Sequence, residues 1–300
     1  MNEAKPFLKW AGGKRQLLPA LEAHLPSYIF SEKDCTYVEP FVGSGAVLFW
    51  LLQKNTSIKK AIINDVNTRL TKAYSIIKKE PGTLIKALQK VQENYYRLDE
   101  AARKEYFLEC RENFNSGVKD SLQNTVQLIF LNRTCFNGLY RVNRDNKFNV
   151  PFGRYNQPKI CDEATIMADS KLLQRVTIMN GDYASTLGKV KGKAFFYFDP
   201  PYKPLNKTSS FNAYDGSAFD DAAQLRLRDF CLELHENKTD WLLSNSAPGA
   251  QEGEEDFFTT AYKYPGIKID TVPARRSINS HGNKRQAINE LLIYNYADKI

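Results

Sequence analysis

Short apolar runs that end in acids recur along this chain and alternate with amphipathic stretches of helical period. Thr36-Tyr37-Val38-Glu39 runs into the glycine turn Pro40-Phe41-Val42-Gly43-Ser44-Gly45, and Ala46 to Gln53 continues as a helical stretch. Ala61-Ile62-Ile63-Asn64-Asp65, Arg175 to Asp182-Tyr183 and Ala194-Phe195-Phe196-Tyr197-Phe198-Asp199 repeat the run-then-acid pattern. Trp241 to Ser244, Ile267 to Val272 and Glu290 to Tyr296 supply further runs, the last two joined by a basic segment with turn residues. Runs of this length, bounded by turn formers, read as buried strands. Strands alternating with helices predict an α/β fold with a mostly parallel sheet. The closing pair, read as a hairpin, adds one antiparallel strand and brings the total to seven.

One interval breaks the rhythm. From Val66 to about Ile160, residues 66–79, 81–96, 99–115 and 120–131 carry helical periodicity, with Pro81 suited to a first turn and Asp99 and Asp120 suited to caps. An insertion of this size between the second and third strands reads as a second domain. The expected division is a catalytic domain of residues 1–66 and 161–300 and a helical domain of residues 67–160 ending in a hairpin. Ahead of the first strand, Leu17, Leu18, Leu21 and Leu25 mark one more helix.

Composition adds bounds. With 300 residues, 42% hydrophobic and 25% charged, the chain has the make-up of a globular protein with ample core. No apolar stretch approaches the ~20 residues of a membrane span, and Met1 to Lys14 lacks a signal-peptide core. A cytoplasmic protein is expected. Cys35, Cys110, Cys135, Cys161 and Cys231 are scattered, with no Cys-x-x-Cys pair, so reduced structural thiols are favoured over a zinc site or disulfides. Nothing demands a metal. The net charge of +8 points to a polyanionic partner, although basic solvated surfaces are common without one.

The densest chemistry follows the Ala194–Phe198 run, in Asp199-Pro200-Pro201-Tyr202. An aromatic amine such as adenine N6 is a poor nucleophile, because its lone pair is delocalised. A carboxylate accepting one N–H and a proline carbonyl accepting the other would free that lone pair, and fixed acceptors stabilise the charge that develops on nitrogen. Tyr202 would hold the flat base by stacking. A stiff Asp-Pro turn ending a core strand is the equal alternative for a lone tetrapeptide. Context shifts the balance: Glu39, Asp65, Asp182 and Asp199 each follow an apolar run, which puts four carboxylates along the strand-end edge where open α/β sheets bind ligands. An acid at the end of the second strand commonly takes a ribose hydroxyl pair. Gly12-Gly13-Lys14 lacks the first glycine of a phosphate loop and is rejected as one.

A second concentration lies at the end of the insertion. Arg133, Arg141, Arg144, Lys147 and Arg154 are interleaved with aromatics, and Asn143-Arg144-Asp145-Asn146 sits between alternating flanks as a hairpin turn. Such a ribbon suits phosphate contact and groove reading, or is a solvated surface. Arg275, Arg276, Lys284 and Arg285 make another basic patch in the closing hairpin, either a backbone clamp or a flexible tip.

In order, Lys9-Trp10-Ala11-Gly12-Gly13-Lys14, Phe41-Val42-Gly43-Ser44-Gly45, Asn137-Gly138-Leu139-Tyr140-Arg141, Phe148 to Gly153, Asp199 to Tyr202 and Arg275 to Ile278 resemble the Dam-like DNA adenine-N6 methyltransferases, over nearly the whole chain. The resemblance implies a Rossmann-like, seven-stranded S-adenosylmethionine-dependent methyltransferase sheet with an inserted helical target-recognition domain and β-hairpin. It implies S-adenosyl-L-methionine held by Trp10, Lys14, Phe41, Gly43, Ser44, Gly45, Asp65, Asp182, Tyr183 and Asp199, with Asp65 on the ribose and Asp182 on the adenine amine. Asp199, Pro200, Pro201 and Tyr202 would carry the transfer to a flipped-out adenine. Arg133, Asn137, Leu139, Arg141, Asn143, Arg154, Tyr155, Arg275, Arg276, Lys284 and Arg285 would meet double-stranded DNA. Arg141 occupies the position associated with the guanine of GATC-type sites, so GATC, or another site containing GAT, is the expected target. A monomer is expected, with room for a cognate restriction endonuclease acting independently. The competing readings are a cytosine-N4 enzyme, which usually carries Ser in place of the acid, and a non-catalytic DNA-binding protein on the same scaffold. A cytosine-C5 enzyme would need a Pro-Cys nucleophile, which the chain lacks.

Overall fold

A period-2 alternation organises the core. In the central strand, Phe195 and Tyr197 enter one buried cluster while Phe196 and Phe198 enter another, because successive side chains of a strand point to opposite faces. The structure, a computed structural model, describes residues 3–10, 14–32, 34–117, 119–202, 219–246, 257–274 and 288–297.

The strands are β1 (Thr36–Glu39), β2 (Lys60–Asp65), β3 (Val176–Asn180), β4 (Ala194–Phe198), β5 (Asp240–Ser246), β6 (Lys268–Ala274) and β7 (Ile288–Tyr294). They form one seven-stranded sheet in the order β3-β2-β1-β4-β5-β7-β6. β7 runs antiparallel to both of its neighbours, and the remaining pairs are parallel. The expected α/β class and the single antiparallel strand are borne out.

The helices are α1 (Leu18–His24), α2 (Tyr28–Ser31), α3 (Ala46–Lys54), α4 (Thr68–Lys79), α5 (Pro81–Arg97), α6 (Glu100–Asn115), α7 (Ser121–Thr134), α8 (Glu163–Leu173), α9 (Asp221–Glu236) and α10 (Phe257–Ala261). Pro81 opens α5, and the Asp99 and Asp120 side chains accept from Ala102 N and Gln123 N as caps of α6 and α7. Each cap satisfies a backbone donor that the helix leaves unpaired. Among the described residues, no helix is long and apolar enough to cross a membrane.

Helix α4 is both the first helix of the insertion and a cover for the sheet. Its Leu70, Ala73, Tyr74 and Ile77 join a cluster that holds Leu51 and Ile63 beside the sheet and Phe107, Phe114 and Phe148 of the insertion. One continuous core therefore runs from the sheet into the helices. The amino-terminal segment is stitched to the same region: buried Asn132 accepts from Lys9 N at 2.8 Å and donates to Lys9 O and Gly138 O at 2.8 and 3.0 Å. Asn132→Ala would strand these backbone groups, each costing about 1–3 kcal/mol if it stays dry. We expect a lower thermal midpoint, with Asn132→Ala melting at the wild-type temperature as the contrary result.

Candidate active site and nucleic-acid interface

The carboxyl ends of β1, β2, β3 and β4 lie side by side, and the acids they deliver meet different surroundings. Glu39 is only 2% exposed and accepts from Tyr37 Oη at 2.8 Å. Burial pushes its carboxyl well up. It is thus an interior group, not the open edge acid expected from the run-then-acid pattern. Asp65 holds the glycine turn: Oδ2 accepts from Gly43 N at 3.0 Å and Oδ1 from Asn67 N at 2.9 Å. Gly45 has φ +74, and a Cβ there would lie 2.6 Å from Tyr74 Oη, so only glycine fits the start of α3. Trp10 borders Gly43 and stacks on Tyr140 with centroids 4.9 Å apart. Ser44 is buried, and Phe41, half-buried, packs on Tyr183 at 5.2 Å.

Asp182 is engaged more fully than expected. Its carboxylate takes both Arg226 nitrogens, at 2.7 and 2.9 Å, and Oδ1 also accepts from Ala184 N. The Arg226 hydrogen bonds hold its carboxyl below the usual range.

Asp199 is where buried charges converge. Lys14 Nζ, whose side chain is 5% exposed, lies 3.1 Å from Asp199 Oδ1 and 3.1 Å from Glu290 Oε2, and 4.1 Å from the Tyr202 ring centroid. Tyr202 Oη donates to the same Glu290 Oε2 at 2.8 Å. Ser244 Oγ reaches Asp199 Oδ1 at 3.5 Å and shares a 2.9 Å bond with Tyr197 Oη. Burial pushes the Asp199 carboxyl up to about 6, opposed by Lys14 and assisted by Glu290. The carbonyl of Pro201 already accepts from Gln224 Nε2 at 3.1 Å, whereas Pro200 is itself buried.

The hairpin expected at the end of the insertion is present as two short antiparallel bridges, Cys135 with Phe152 and Val142 with Phe148. Gly153 permits the closure, since a Cβ there would lie 2.7 Å from Cys135 O. Arg141 is exposed; Nε donates to Asn149 Oδ1 at 2.8 Å and Nη2 to Asn149 O at 3.4 Å. Asn137, Arg144, Lys147 and Arg154 are exposed beside it. Asn143 spends its side-chain oxygen on the turn, accepting from Asp145 N and Lys147 N. Leu139 is partly buried against the core, and Tyr155 Oη accepts from Asn137 N. Arg133 does not join the exposed set: its Nη2 donates inward to Phe7 O at 2.8 Å, and burial lowers its pKa. Arg275, Arg276, Lys284 and Arg285 lie outside the described residues.

Several members of these sites carry no motif of their own. Glu290, Ser244 and Arg226 act through partners distant in sequence. Val66, 56% exposed directly after Asp65, and Phe136, 52% exposed beside Asn137, are large apolar groups facing solvent next to the predicted residues. Exposure of an apolar side chain was the property that pattern alone could not show. Burial pushes the Cys35 thiol up to about 11 and those of Cys110 and Cys135 to about 12, so none of these three is a thiolate nucleophile at neutral pH.

Sequence comparisons with known proteins point to one family. The profile of the D12 class N6 adenine-specific DNA methyltransferases matches residues 10–278. The chain is 46% identical to the Type II methyltransferase M.MjaIII of Methanocaldococcus jannaschii, over 98% of this chain and 100% of that one. It is 37% identical to the Type II methyltransferase M1.LlaDCHI of Lactococcus lactis subsp. cremoris, over 98% and 96%. It is 33% identical to the DNA adenine methylase of Escherichia coli (strain K12), over 97% and 95%. On this match, which spans the glycine turn, the insertion and the acid at the end of β4, the chain belongs to the D12 class of N6 adenine-specific DNA methyltransferases.

Proposed function

We propose that the protein transfers a methyl group from S-adenosyl-L-methionine to N6 of an adenine flipped out of duplex DNA, within GATC or another GAT-containing site. The observation that carries this reading is the Asp199–Lys14–Tyr202 constellation at the end of β4, beside a glycine turn held by Asp65.

The residues at the edge fit the cofactor. Asp65 accepts the backbone N–H groups of Gly43 and Asn67 at the end of β2, where an acid commonly takes a ribose hydroxyl pair. Val66 offers an apolar cover for a flat base, and the acidic, aromatic surroundings suit a cation. When bound, the cofactor supplies an electrophilic methyl carbon on a cationic sulfur. Trp10, Phe41, Gly43, Ser44 and Gly45 would enclose it, with Tyr183 behind Phe41. Asp182 would take the adenine amine through the lone pairs that Arg226 leaves.

The chain's own groups prepare the nucleophile. Asp199 accepts one N–H of the target amine, and the Pro200 carbonyl is the proline acceptor for the other, since that of Pro201 is already engaged by Gln224. Tyr202 stacks on the base. Two fixed acceptors draw the nitrogen towards a tetrahedral shape and stabilise its developing charge. A base inside a duplex must be extruded to reach them, at a cost of a few kcal/mol. Residues 67–160, with Asn137, Arg141, Arg154 and their neighbours exposed at the end, would hold the duplex while that happens. The Type II designation of two relatives supports a partner endonuclease acting independently.

Labelled S-adenosylmethionine with paired duplexes, one carrying GATC and the other with its adenine replaced, tests the reading. Label in the first duplex alone is expected. Label in both discards GATC, and label in neither, nor in genomic DNA, discards the reaction. The same assay has a pH signature. The ionised Asp199 is the active form, and its pKa of about 6 exceeds that of a free aspartate. Activity should therefore fall as pH drops through about 6, not through the ~4 of an unperturbed carboxyl. Full rate persisting at pH 5 would contradict this.

A further inference from the structure

We propose that Glu290 of β7 is a positioning residue for methyl transfer, anchoring the Lys14 ammonium against Asp199 and fixing the Tyr202 ring through its hydroxyl. The inference rests on the reading of Asp199 and Tyr202 given above.

Glu290 sits in the antiparallel strand, opposite Ser246 of β5 and Val272 of β6, far in sequence from everything it touches in the site. One oxygen, Oε2, receives both Lys14 Nζ at 3.1 Å and Tyr202 Oη at 2.8 Å. The first bond places the ammonium midway between two carboxylates, 3.1 Å from Asp199 Oδ1. The second fixes an aromatic ring that follows two prolines and whose other neighbour is that ammonium, 4.1 Å from its centroid. A single atom thus sets two geometries at once: where the counter-charge of Asp199 lies, and how the stacking ring is turned. A lysine beside Asp199 with no second anchor would be drawn fully onto that carboxylate or swing to solvent. Shared with Glu290, it lowers the cost of burying Asp199 without closing over it.

Among the described residues, other groups near Asp199 do not duplicate this. Ser244 of β5 contacts it at the 3.5 Å limit of a hydrogen bond. Tyr197 of β4 bonds to Ser244, and Tyr37 and Glu39 of β1 are bonded to each other.

Two substitutions separate anchoring from charge. In Glu290→Gln the amide oxygen still accepts from Lys14 and Tyr202, but the negative charge is gone. We expect kcat to remain within about threefold of wild type, with the acid limb moved to lower pH, because a like charge that raises the Asp199 pKa has been removed. In Glu290→Ala both bonds are lost. There kcat should fall by about tenfold or more, with KM for the duplex little changed, as expected when positioning fails. Its acid limb should also move to lower pH, because the like charge that raises the Asp199 carboxyl is gone and the Lys14 ammonium keeps Asp199 as a partner. Wild-type kcat and an unmoved limb in Glu290→Ala would overturn the proposal. So would a loss in both variants that tracks the folded fraction with the limb unmoved; should Glu290→Ala not fold, the limb of Glu290→Gln decides alone. Asp199→Ala run alongside distinguishes the two levels. Transfer that survives it removes the underlying reading, whereas transfer lost there but intact in Glu290→Ala removes only Glu290.

Discussion

Asp199→Ala is expected to lower methyl transfer by about 10³-fold, the upper end of what one preorganised electrostatic contact contributes to a rate. Duplex binding should remain measurable. Under the proposed mechanism the carboxylate is the acceptor at which the amine's developing positive charge is met, and its largely buried setting strengthens that contact. Its neighbours among the described residues do not replace it. Lys14 has the wrong sign, Ser244 is a neutral hydroxyl at 3.5 Å, and Glu290 is occupied by Lys14 and Tyr202. The variant should nevertheless fold, since Lys14 keeps Glu290 as an ionic partner, so loss of the Asp199 charge leaves no wholly unpaired ammonium. DNA binding is expected to draw on the ribbon at the end of the insertion, whose exposed arginines and lysine are untouched. Methyl incorporation and a mobility-shift titration on one preparation check both halves. Equal turnover in variant and wild type would take Asp199 out of the mechanism.

Why the site was partly legible in the sequence follows from which contacts are local. Ala194–Phe198 is a strand over the same residues as the apolar run, because a fully buried strand leaves a continuous signal and the double proline ends it. The caps Asp99 and Asp120 and the opening Pro81 are equally local, and each stands where its chemistry predicts. Helix α9 carries a signal just as clear, Leu227, Phe230, Cys231 and Leu234 behind the Asp220 cap, yet a pattern centred on strands passes over it. The neighbours of each strand are another matter. That β4 lies between β1 and β5 is fixed by packing across the sheet, and no run of residues records it.

The site shows the same division. Asp65 and the glycine turn are close enough in sequence to be read as one unit, and the structure joins them through Gly43 N. Glu290 is 276 residues from Lys14, in a strand whose alternation gives no hint that one side chain turns to a buried ammonium. Arg133 belongs to a basic, aromatic segment and so reads as a phosphate contact, but its position on α7 turns the guanidinium towards the Phe7 carbonyl. Residue type announces chemistry only when the partner is nearby in sequence. Where the partner is distant, the fold assigns the role.

Arg141→Ala is expected to reduce discrimination at the guanine that precedes the target adenine by about 1–3 kcal/mol, or roughly 5- to 150-fold in the ratio of kcat/KM between the intact site and one with that base pair changed. Arginine reads guanine by two parallel hydrogen bonds to O6 and N7, which no other base pair accepts in the same places. In this chain the Arg141 side chain is exposed, yet Nε and Nη2 are fixed on Asn149, so the guanidinium is already oriented before any duplex arrives. Pre-orientation lowers the ordering cost of the contact and favours specificity over general affinity. Arg144, Lys147 and Arg154, exposed around it, would supply charge alone. Removing one of those should weaken all duplexes alike and flatten the salt dependence, whereas Arg141→Ala should change the ratio between sequences most. Single-turnover rates on the two duplexes at one salt concentration give that ratio directly. An unchanged preference in Arg141→Ala would move the reading of that guanine to another residue, with Asn137, exposed at the start of the same ribbon, the next to substitute.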